Sequence, residues 1–446
     1  LDANAATLSE LSAGMRVLVT GGYGLIGSAI LSQLHRDGHA VVGAGRSIGE
    51  ARRRFPYAQW VEADFARLRE PDAWRPLLAG VDAVVNCVGV LQDGARDDTR
   101  NVHVEATCAL FDACARAGIR RVLHVSAIGS DSAGPTEFAR TKAEADAHLA
   151  RLDLDWIILR PGIVLGPAAH GGSAMIRGLA GLPLVTPVVY ADSWIQVIGS
   201  NDIARTVAFC LDPTAPSKVT WDLVHPQAHR LADIVAATRQ WLGLPPRRAI
   251  EVPGAVARLI ARFADGLGWL GWRSPARSTA LAQLAHGVTG NPAAWMAATG
   301  RTPQSLADIL AVAPATVADR WYARLYWLKP AAIAALALFW IATGAIALGP
   351  GRAAALNQLV QGGFPPGVAE SVLVGGSAVD IVLGLLLLVR RFARFALWTM
   401  LAVAGIYLVV GTVAAPHLWF DPLGPYAKIV PVLVATAFTL AILDER

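Results

Sequence analysis

The run Thr20-Gly-Gly-Tyr-Gly-Leu-Ile-Gly27 spaces three glycines as G-x-x-G-x-x-G, directly after an apolar run and directly before a helical pattern. That order suits phosphate binding. Gly21 permits a tight turn, Gly24 lets a pyrophosphate approach the backbone, and Gly27 lets the helix pack closely on the strand. The first helical residues Leu25, Ile26 and Gly27 then offer free N–H groups and the positive helix end to an anion. The alternative is a purely structural glycine turn, which the strand–turn–helix context argues against.

A second set of residues bears on which dinucleotide fits. A site for NAD(H) usually has Asp or Glu after the second strand, to bind the ribose 2′-hydroxyl. Here the chain reads Gly43-Ala-Gly-Arg46-Ser47. Arg46 can pair with the 2′-phosphate of NADP(H), and Ser47 can donate a hydrogen bond to it. This favours NADP(H) over NAD(H); the alternative is an ordinary surface arginine. A third group is Asp380, deep in an apolar stretch, where a charge costs at least ~2.5–3.5 kcal/mol on insertion scales. It must face the bundle interior, be protonated or find a partner, with Tyr407, Thr399 and Thr412 as candidates. A polar pin between helices and a proton or ligand site both remain open for it. Cys87, Cys108, Cys114 and Cys210 form no C-x-x-C pair and read as small core side chains. No His/Cys cluster suggests a metal.

These groups need elements to hold them. Short apolar runs occur at Arg16–Thr20, Ala40–Ala44, Trp60–Ala63, Ala83–Cys87, Arg121–Val125 and Trp156–Leu159, with helical patterns at about 25–37, 99–117 and 138–151. Apolar runs separated by helices predict a parallel sheet covered on both faces. The fold class expected is α/β, a Rossmann-like doubly wound sheet over residues 15–160. Residues 161–328, with a strand at Val219–Leu223 and helices near 231–242 and 254–270, read as a smaller cap on the carboxyl edge of that sheet. An all-α four-helix transmembrane bundle is expected over residues 329–446.

The composition supports this division. Hydrophobic residues make up 54% of the 446 and charged residues only 16%, against about 25% charged in soluble domains. From Lys329 onward there are 7 basic and 5 acidic residues, leaving 32 and 29 before it. Four apolar segments lie at about 330–349, 367–389, 393–414 and 427–443, each near the ~20 residues that cross a bilayer, the last being short. Trp321-Tyr-Ala-Arg-Leu-Tyr-Trp327 and Lys329 mark an interface before them. The net charge of +5 forms no basic stripe, which argues against nucleic acid as a partner. Residues 1–14 show neither the basic nor the apolar region of a secretory signal, and Met15, just before a strand, is expected as the natural start.

Several motifs together resemble the extended and atypical short-chain dehydrogenase/reductase families over about residues 15–328. They are the glycine turn, Asp64 after the third strand, Asn86-Cys-Val-Gly89 after the fourth, Ser126 after the fifth, Lys142 on the next helix, and Arg160-Pro-Gly-Ile-Val-Leu-Gly-Pro167. Val102-His-Val-Glu105 and Arg-Thr-Lys-Ala-Glu144 are most similar to the atypical branch of the nucleotide-binding accessory subunit of respiratory complex I. The resemblance implies that Asp64 contacts adenine and that Asn86, Cys87, Val88 and Gly89 cover the adenosine ribose. Thr20 and Pro161 would border the cofactor. It also implies a Ser, Tyr and Lys set, with Tyr and Lys at i and i+4 on one helix face. Here Ser126 and Lys142 stand in place, but Phe138 occupies the tyrosine position. A phenyl ring has no proton to exchange. Glu137, His103, His124 or Tyr190 would have to substitute, or the domain binds NADP(H) without turning it over.

Residues 328–443 resemble the DoxX-like family of small four-helix membrane proteins, some of them partners of quinone-linked oxidoreductases. Gly376-Ser-Ala-Val-Asp380-Ile-Val-Leu-Gly384 and His417-Leu-Trp-Phe-Asp421-Pro-Leu-Gly-Pro425 with Lys428 carry this likeness. Two expectations follow. One is a membrane-anchored NADP(H)-dependent oxidoreductase of an apolar, quinone-like or lipid-like substrate; the other is a catalytically silent NADP(H)-binding protein of a membrane assembly with a membrane-protein partner. Either would lie in a bacterial inner (cytoplasmic) membrane.

The positive-inside bias orients the spans. Arg390, Arg391 and Arg394 share one side with Arg324 and Lys329, whereas the other connections carry only Arg352 and Lys428. The nucleotide domain and C-terminus are therefore expected in the cytoplasm. Cysteines introduced near Arg391 and near Asp421, treated with an impermeant thiol reagent in intact cells, should label near Asp421 only. Labelling near Arg391 alone would reverse the orientation.

Overall fold

The computed structural model describes residues 14–95, 98–422 and 424–443. The signal and start-site reading of the first residues lies almost entirely outside them.

The main sheet is built from short runs rich in valine and isoleucine. β1 (Arg16–Thr20), β2 (Ala40–Gly45), β3 (Gln59–Glu62), β4 (Ala83–Asn86), β5 (Arg121–Val125) and β6 (Asp155–Pro161) are joined by the edge strand Val219–Leu223. The order is Val219–Leu223, β6, β5, β4, β1, β2, β3, with every pair parallel. Alternation of side chains along β1 divides the core in two. Val17 and Val19 pack with Ile30, Leu31 and Leu34 of the helix Leu25–Arg36 and with Ile203 and Val207 of the helix Ser200–Cys210. Leu18 faces the other way, toward Leu110 and Phe111 of Ala106–Ala117 and Leu149 of Glu137–Arg151. A sheet buried on both faces needs apolar residues in both phases, which is why its strands read as continuous apolar runs.

The chain leaves β1 toward β2 and β3, then returns to β4 on the other side. That reversal opens a crevice at the carboxyl edge, where doubly wound sheets bind ligands. The glycine turn, Arg46, Asp64, Cys87 to Gly89 and Ser126 follow strand ends at this edge, and Pro161 is the last residue of β6.

The region after β6 is more than a cap. It supplies the edge strand Val219–Leu223 and the helix Ser200–Cys210, which covers one face of the main sheet. The remainder forms three two-stranded pairs: Ile163–Leu165 with Val197–Gly199, Trp194–Ile195 with His229–Arg230, and Thr186–Val188 with Ala249–Glu251. Buried Arg239 donates to the carbonyls of Ala180, Leu182 and Pro245 at 2.6–2.7 Å. Buried Arg177 pairs with Asp319 at 3.1 Å.

By its contacts the chain divides into two compact units, residues 1–265 with 274–323, and residues 266–273 with 324–446. Among the described residues three helices are long and apolar enough to cross a membrane: Val317–Leu348, Pro366–Leu388 and Arg390–Ala414. The fourth apolar segment is the shorter helix Pro425–Ala441. The first long helix begins before the expected span, so the interface stretch Trp321–Trp327 is itself helical. Pro330 removes one intrahelical hydrogen bond without ending the helix. A further short helix, Arg352–Gln361, fills the connection between the first two.

Small residues set the packing distance. A side chain on Gly384 would meet Ile341 and the Ala337 carbonyl, and one on Gly344 would come within 2.5 Å of the Ser377 carbonyl. Of the three candidate partners for Asp380, only Tyr407 reaches it, donating to Oδ1 at 3.1 Å. The hydroxyls of Thr399 and Thr412 donate instead to carbonyls of their own helix, those of Phe395 and Leu408.

Candidate functional site at the carboxyl edge of the sheet

The glycine turn has the backbone its sequence requires. Gly21 adopts a φ of +66°, and a Cβ there would lie 3.1 Å from the Cys87 carbonyl carbon. A Cβ on Gly27 would collide with the carbonyl oxygen of Gly21. Gly24 is the N-cap of Leu25–Arg36, no side chain caps that end, and the first turn holds no acid. The first N–H groups thus face a cradle that a side chain would fill. The residues present fit the diphosphate of a dinucleotide.

Arg46 and Ser47 follow β2 and are exposed. Asp64, half-buried after β3, accepts from the Ala66 N–H at 3.2 Å and pairs with Arg67 at 3.6 Å. Asn86 ends β4 fully buried. Its Oδ1 accepts from the Thr20 hydroxyl at 2.6 Å and from the Val88 N–H at 3.2 Å, so the first and fourth strand ends are tied together. Its Nδ2 lies 3.2 Å from His124 Nδ1 and donates there, which puts the His124 proton on Nε2.

Lys142 is 3% exposed, on the helix Glu137–Arg151. Its Nζ donates to the Val125 carbonyl at 3.0 Å and the Val88 carbonyl at 3.3 Å. Burial lowers its pKa to about 8, opposed by the charge of Asp146 and by Cys87. A Cβ on Gly89 would stand 3.4 Å from Nζ and 3.5 Å from His103 Nε2. The loop after β4, Lys142 and His103 therefore form one cluster.

His103 lies in the π-helical turn Asn101–Glu105 that precedes Ala106–Ala117. Its Nε2 accepts from the Val90 N–H at 3.0 Å. Its Nδ1 must then carry the proton, which it donates to Thr141 Oγ1 at 2.9 Å; that hydroxyl donates on to the Glu137 carbonyl at 2.8 Å. Burial, with the charge of Lys142, holds the His103 pKa well below its usual range. The imidazole is neutral with both nitrogens engaged. Phe138 sits edge-to-face on it, ring centroids 5.5 Å apart.

The Ser126 hydroxyl donates to Asp146 Oδ2 at 3.0 Å and lies 3.1 Å from Ser130 Oγ. Arg160 donates to the same carboxylate oxygen from Nε and Nη2, at 3.1 and 2.9 Å. His124 Nε2 stands 3.6 Å from Asp146 Oδ1. Burial raises the Asp146 pKa, and the Arg160 bonds oppose it. Glu137 is exposed and paired with Arg140 at 2.9 Å. Tyr190 lies in a turn after Thr186–Val188, with a φ of 49°. Asp146 went unnoticed in the sequence, although its place four residues after Lys142 puts it on the same helix face. The Cys87 thiol beside Lys142 is pushed up to about 12 by burial, which leaves it a poor nucleophile. Among the described residues no cluster of three or more His, Cys, Asp or Glu can hold a metal ion.

Residues 21–181 match the NAD(P)H-binding family and residues 337–437 the DoxX-like family. A 3-diazoavenalumate denitrifying reductase of Streptomyces is 30% identical over 280 residues, which cover 56% of this chain and 88% of that protein. Photosystem II assembly factor Ycf39 of Synechocystis is 23% identical over 262 residues, covering 57% and 76%. An uncharacterized protein of Mycobacterium tuberculosis is 27% identical over 253 residues, covering 56% and 26%. The chain thus spans about a quarter of the length of the first curated relatives it matches. The crystal structure of the Bordetella bronchiseptica enzyme WbmG in complex with NAD superposes with a TM-score of 0.52 at 17% identity, over 72% of this chain and 96% of that one. That likeness concerns the fold alone.

The glycine geometry leads to a binding prediction. Gly27→Val should displace the turn and weaken NADPH binding by at least roughly tenfold, about 1.4 kcal/mol. Calorimetry against NADPH checks this, with circular dichroism to show that the sheet is retained. Unchanged affinity would remove the glycine turn from the site.

Proposed function

We propose, for a chain that belongs to the NAD(P)-binding short-chain dehydrogenase/reductase family and carries a DoxX-like domain over residues 337–437, that it is a membrane-associated, NADP(H)-dependent reductase of an apolar, quinone-like or lipid-like acceptor. The nicotinamide, when bound, supplies a hydride. The residues of the chain bind, orient and hold protons around it. Gly21, Gly24 and Gly27 clear the backbone for the diphosphate, with the N–H groups of Leu25, Ile26 and Gly27 as donors. Arg46 and Ser47 would hold the 2′-phosphate, and Asp64 the adenine. Lys142 has three protons and uses two on the Val88 and Val125 carbonyls. The third is left for the nicotinamide ribose, and with a pKa of about 8 the group is charged at neutral pH.

The observation that carries the acceptor class is Phe138, one turn before Lys142 on the same helix face. General acid–base assistance is typically worth about 10²–10⁴-fold, and a phenyl ring provides none. His103, against that ring, is neutral and gives its one proton to Thr141. A simple ketone or aldehyde would become an alkoxide with no donor at hand. A quinone-like ring spreads the negative charge it receives with the hydride, and water protonates it afterwards. The site therefore suits acceptors that need no acid in the transition state. The spans favour the same class, since such acceptors partition into lipid.

A second reading rests on the engagement of the polar groups. The Ser126 hydroxyl is given to Asp146 and both His103 nitrogens are taken. A cofactor site whose serine and histidine protons are committed to protein partners also suits a silent NADP(H)-binding protein that stabilises a membrane assembly; one relative, Ycf39, carries the name of an assembly factor. In both readings NADP(H) comes from the cytoplasm of a bacterial cell.

Cofactor preference should follow Arg46. NADPH should bind more tightly than NADH, and Arg46→Ala should narrow the gap by removing a charge-assisted bond of roughly 1.5–3 kcal/mol. Equal affinities in the unmodified protein, measured by calorimetry, would remove Arg46 from the 2′-phosphate. Turnover separates the two readings. NADPH oxidation should be faster with a short-chain quinone than with an aldehyde, and Phe138→Tyr should raise aldehyde reduction by up to about 10²-fold. NADPH binding with no oxidation by either acceptor would favour the silent protein. Fast aldehyde reduction that depends on Lys142 and ignores Phe138→Tyr would show another proton donor.

A further inference from the structure

The helix Gly254–Trp269 has a stripe that its own fold leaves open. Val256, Leu259, Ile260 and Phe263 recur at i, i+3, i+4 and i+7, one face of a helix, and are 46%, 70%, 50% and 69% exposed. Ala257, Ala261 and Ala264, on the adjoining sector, are buried. Arg258 and Arg262 follow on the far flank of the apolar stripe and are exposed. A soluble helix of this kind would turn its large apolar residues inward and its small ones outward. Here the assignment is inverted.

The chain runs directly from this helix into residues of the other compact unit. Gly266–Arg273 belongs to the compact unit of the apolar spans. The Leu270 carbonyl accepts from the Arg390 N–H at 3.0 Å, and Trp272 Nε1 donates to the Leu388 carbonyl at 2.6 Å. The Arg390 guanidinium stacks over the Trp272 ring at 5.6 Å. Those partners form the connection between Pro366–Leu388 and Arg390–Ala414, where two apolar helices end and arginines begin. This is the level of a bilayer surface. The helix is thus continuous in the chain with residues held at that connection, and Trp269 and Leu270 between them are exposed.

We propose that Gly254–Trp269 is an interfacial helix that lies in the plane of the membrane. Val256, Leu259, Ile260 and Phe263 enter the lipid, while Arg258 and Arg262 reach anionic headgroups from the flank. An apolar stripe flanked by arginines is the pattern of such helices, which sit roughly 5–10 Å into the headgroup–acyl boundary. Arginine stems can lie along apolar surface while the charge stays wet. The inference rests on the membrane association of the spans. It does not depend on turnover or on the choice of cofactor.

The test places an environment-sensitive thiol probe at Leu259→Cys, Phe263→Cys and Arg258→Cys in the full chain, reconstituted in vesicles of phosphatidylcholine with phosphatidylglycerol. A fourth probe at Phe395→Cys, exposed on an apolar span, reports whether the bundle is embedded. The emission of the 259 and 263 probes should be blue-shifted and quenched by lipids brominated near the headgroup. That of the 258 probe should instead be quenched by aqueous iodide. In vesicles of phosphatidylcholine alone, bromolipid quenching at 259 and 263 should weaken. Quenching at 395 with iodide access at 259 and 263 would overturn the proposal and leave the bundle reading intact. Probes at 259 and 263 shielded from both quenchers would mean that a protein surface covers the stripe, which also overturns it. No lipid quenching at any position, 395 included, would refute the membrane reading and this inference with it.

Discussion

The Asp146 carboxylate is the charge around which the nucleotide unit is arranged. It is 4% exposed, and Arg160 holds it with two hydrogen bonds while Ser126 donates a third. Removing one partner of such a pair strands a buried charge, at a typical cost of about 3–5 kcal/mol. The bonds join the helix Glu137–Arg151 to β5 and β6. Separately, Asn86 joins β4 to His124 of β5 and, through Thr20, to the strand that leads into the glycine turn. Four strand ends and one helix are thereby held together at the carboxyl edge of the sheet. Lys142, one turn before Asp146, takes its position from this arrangement.

Much of the nucleotide unit was legible because its strands are buried on both faces. Val17, Leu18 and Val19 are all apolar, and such runs give their boundaries to within a residue or two. The glycine turn was legible because backbone clearance requires glycine and nothing else. The Phe138 and Lys142 pair was legible because an i, i+4 spacing fixes a common face. What escaped depends on partners distant in sequence. Ser126 marks the end of β5, yet its hydroxyl belongs to Asp146, twenty residues on. The helix Ser200–Cys210 left no clear signal, because its packing on the helix Leu25–Arg36 joins residues about 170 positions apart. The apolar segments were recognised by composition, and the first lies within a longer helix that begins at Val317. An interface rich in Trp and Tyr marks a depth in the bilayer and does not mark the end of a helix.

The same physics handles a polar group differently in the two units. Asp146 is buried among cations and hydroxyls that compensate it. Asp380 lies in an apolar helix with one hydroxyl, that of Tyr407, within reach. In lipid a single hydrogen bond between helices contributes modestly, because the separated helices also find partners. Packing must therefore supply most of the cohesion, and the close approaches at Gly344 and Gly384 show how. Asp380 is then a specific feature on a bundle held together by shape.

Under the proposed function, Phe138 and the apolar spans are two departures from a soluble carbonyl reductase, and each makes the other less costly. On that reading, a site without a phenol restricts hydride transfer to acceptors that stabilise their own charge. Many such acceptors are flat, conjugated and poorly soluble, so their concentration in water is low and their concentration in lipid is high. A nucleotide unit joined covalently to membrane spans would meet such acceptors at the effective concentration set by its tether rather than by the bulk phase. A water-soluble aldehyde gains nothing from the spans and loses the acid. Specificity for a lipid-borne acceptor can thus arise from what the site lacks and from where the chain is held, without a dedicated polar pocket. For this reason Phe138, and not the glycine turn, is the residue that most narrows the chemistry the proposed function allows.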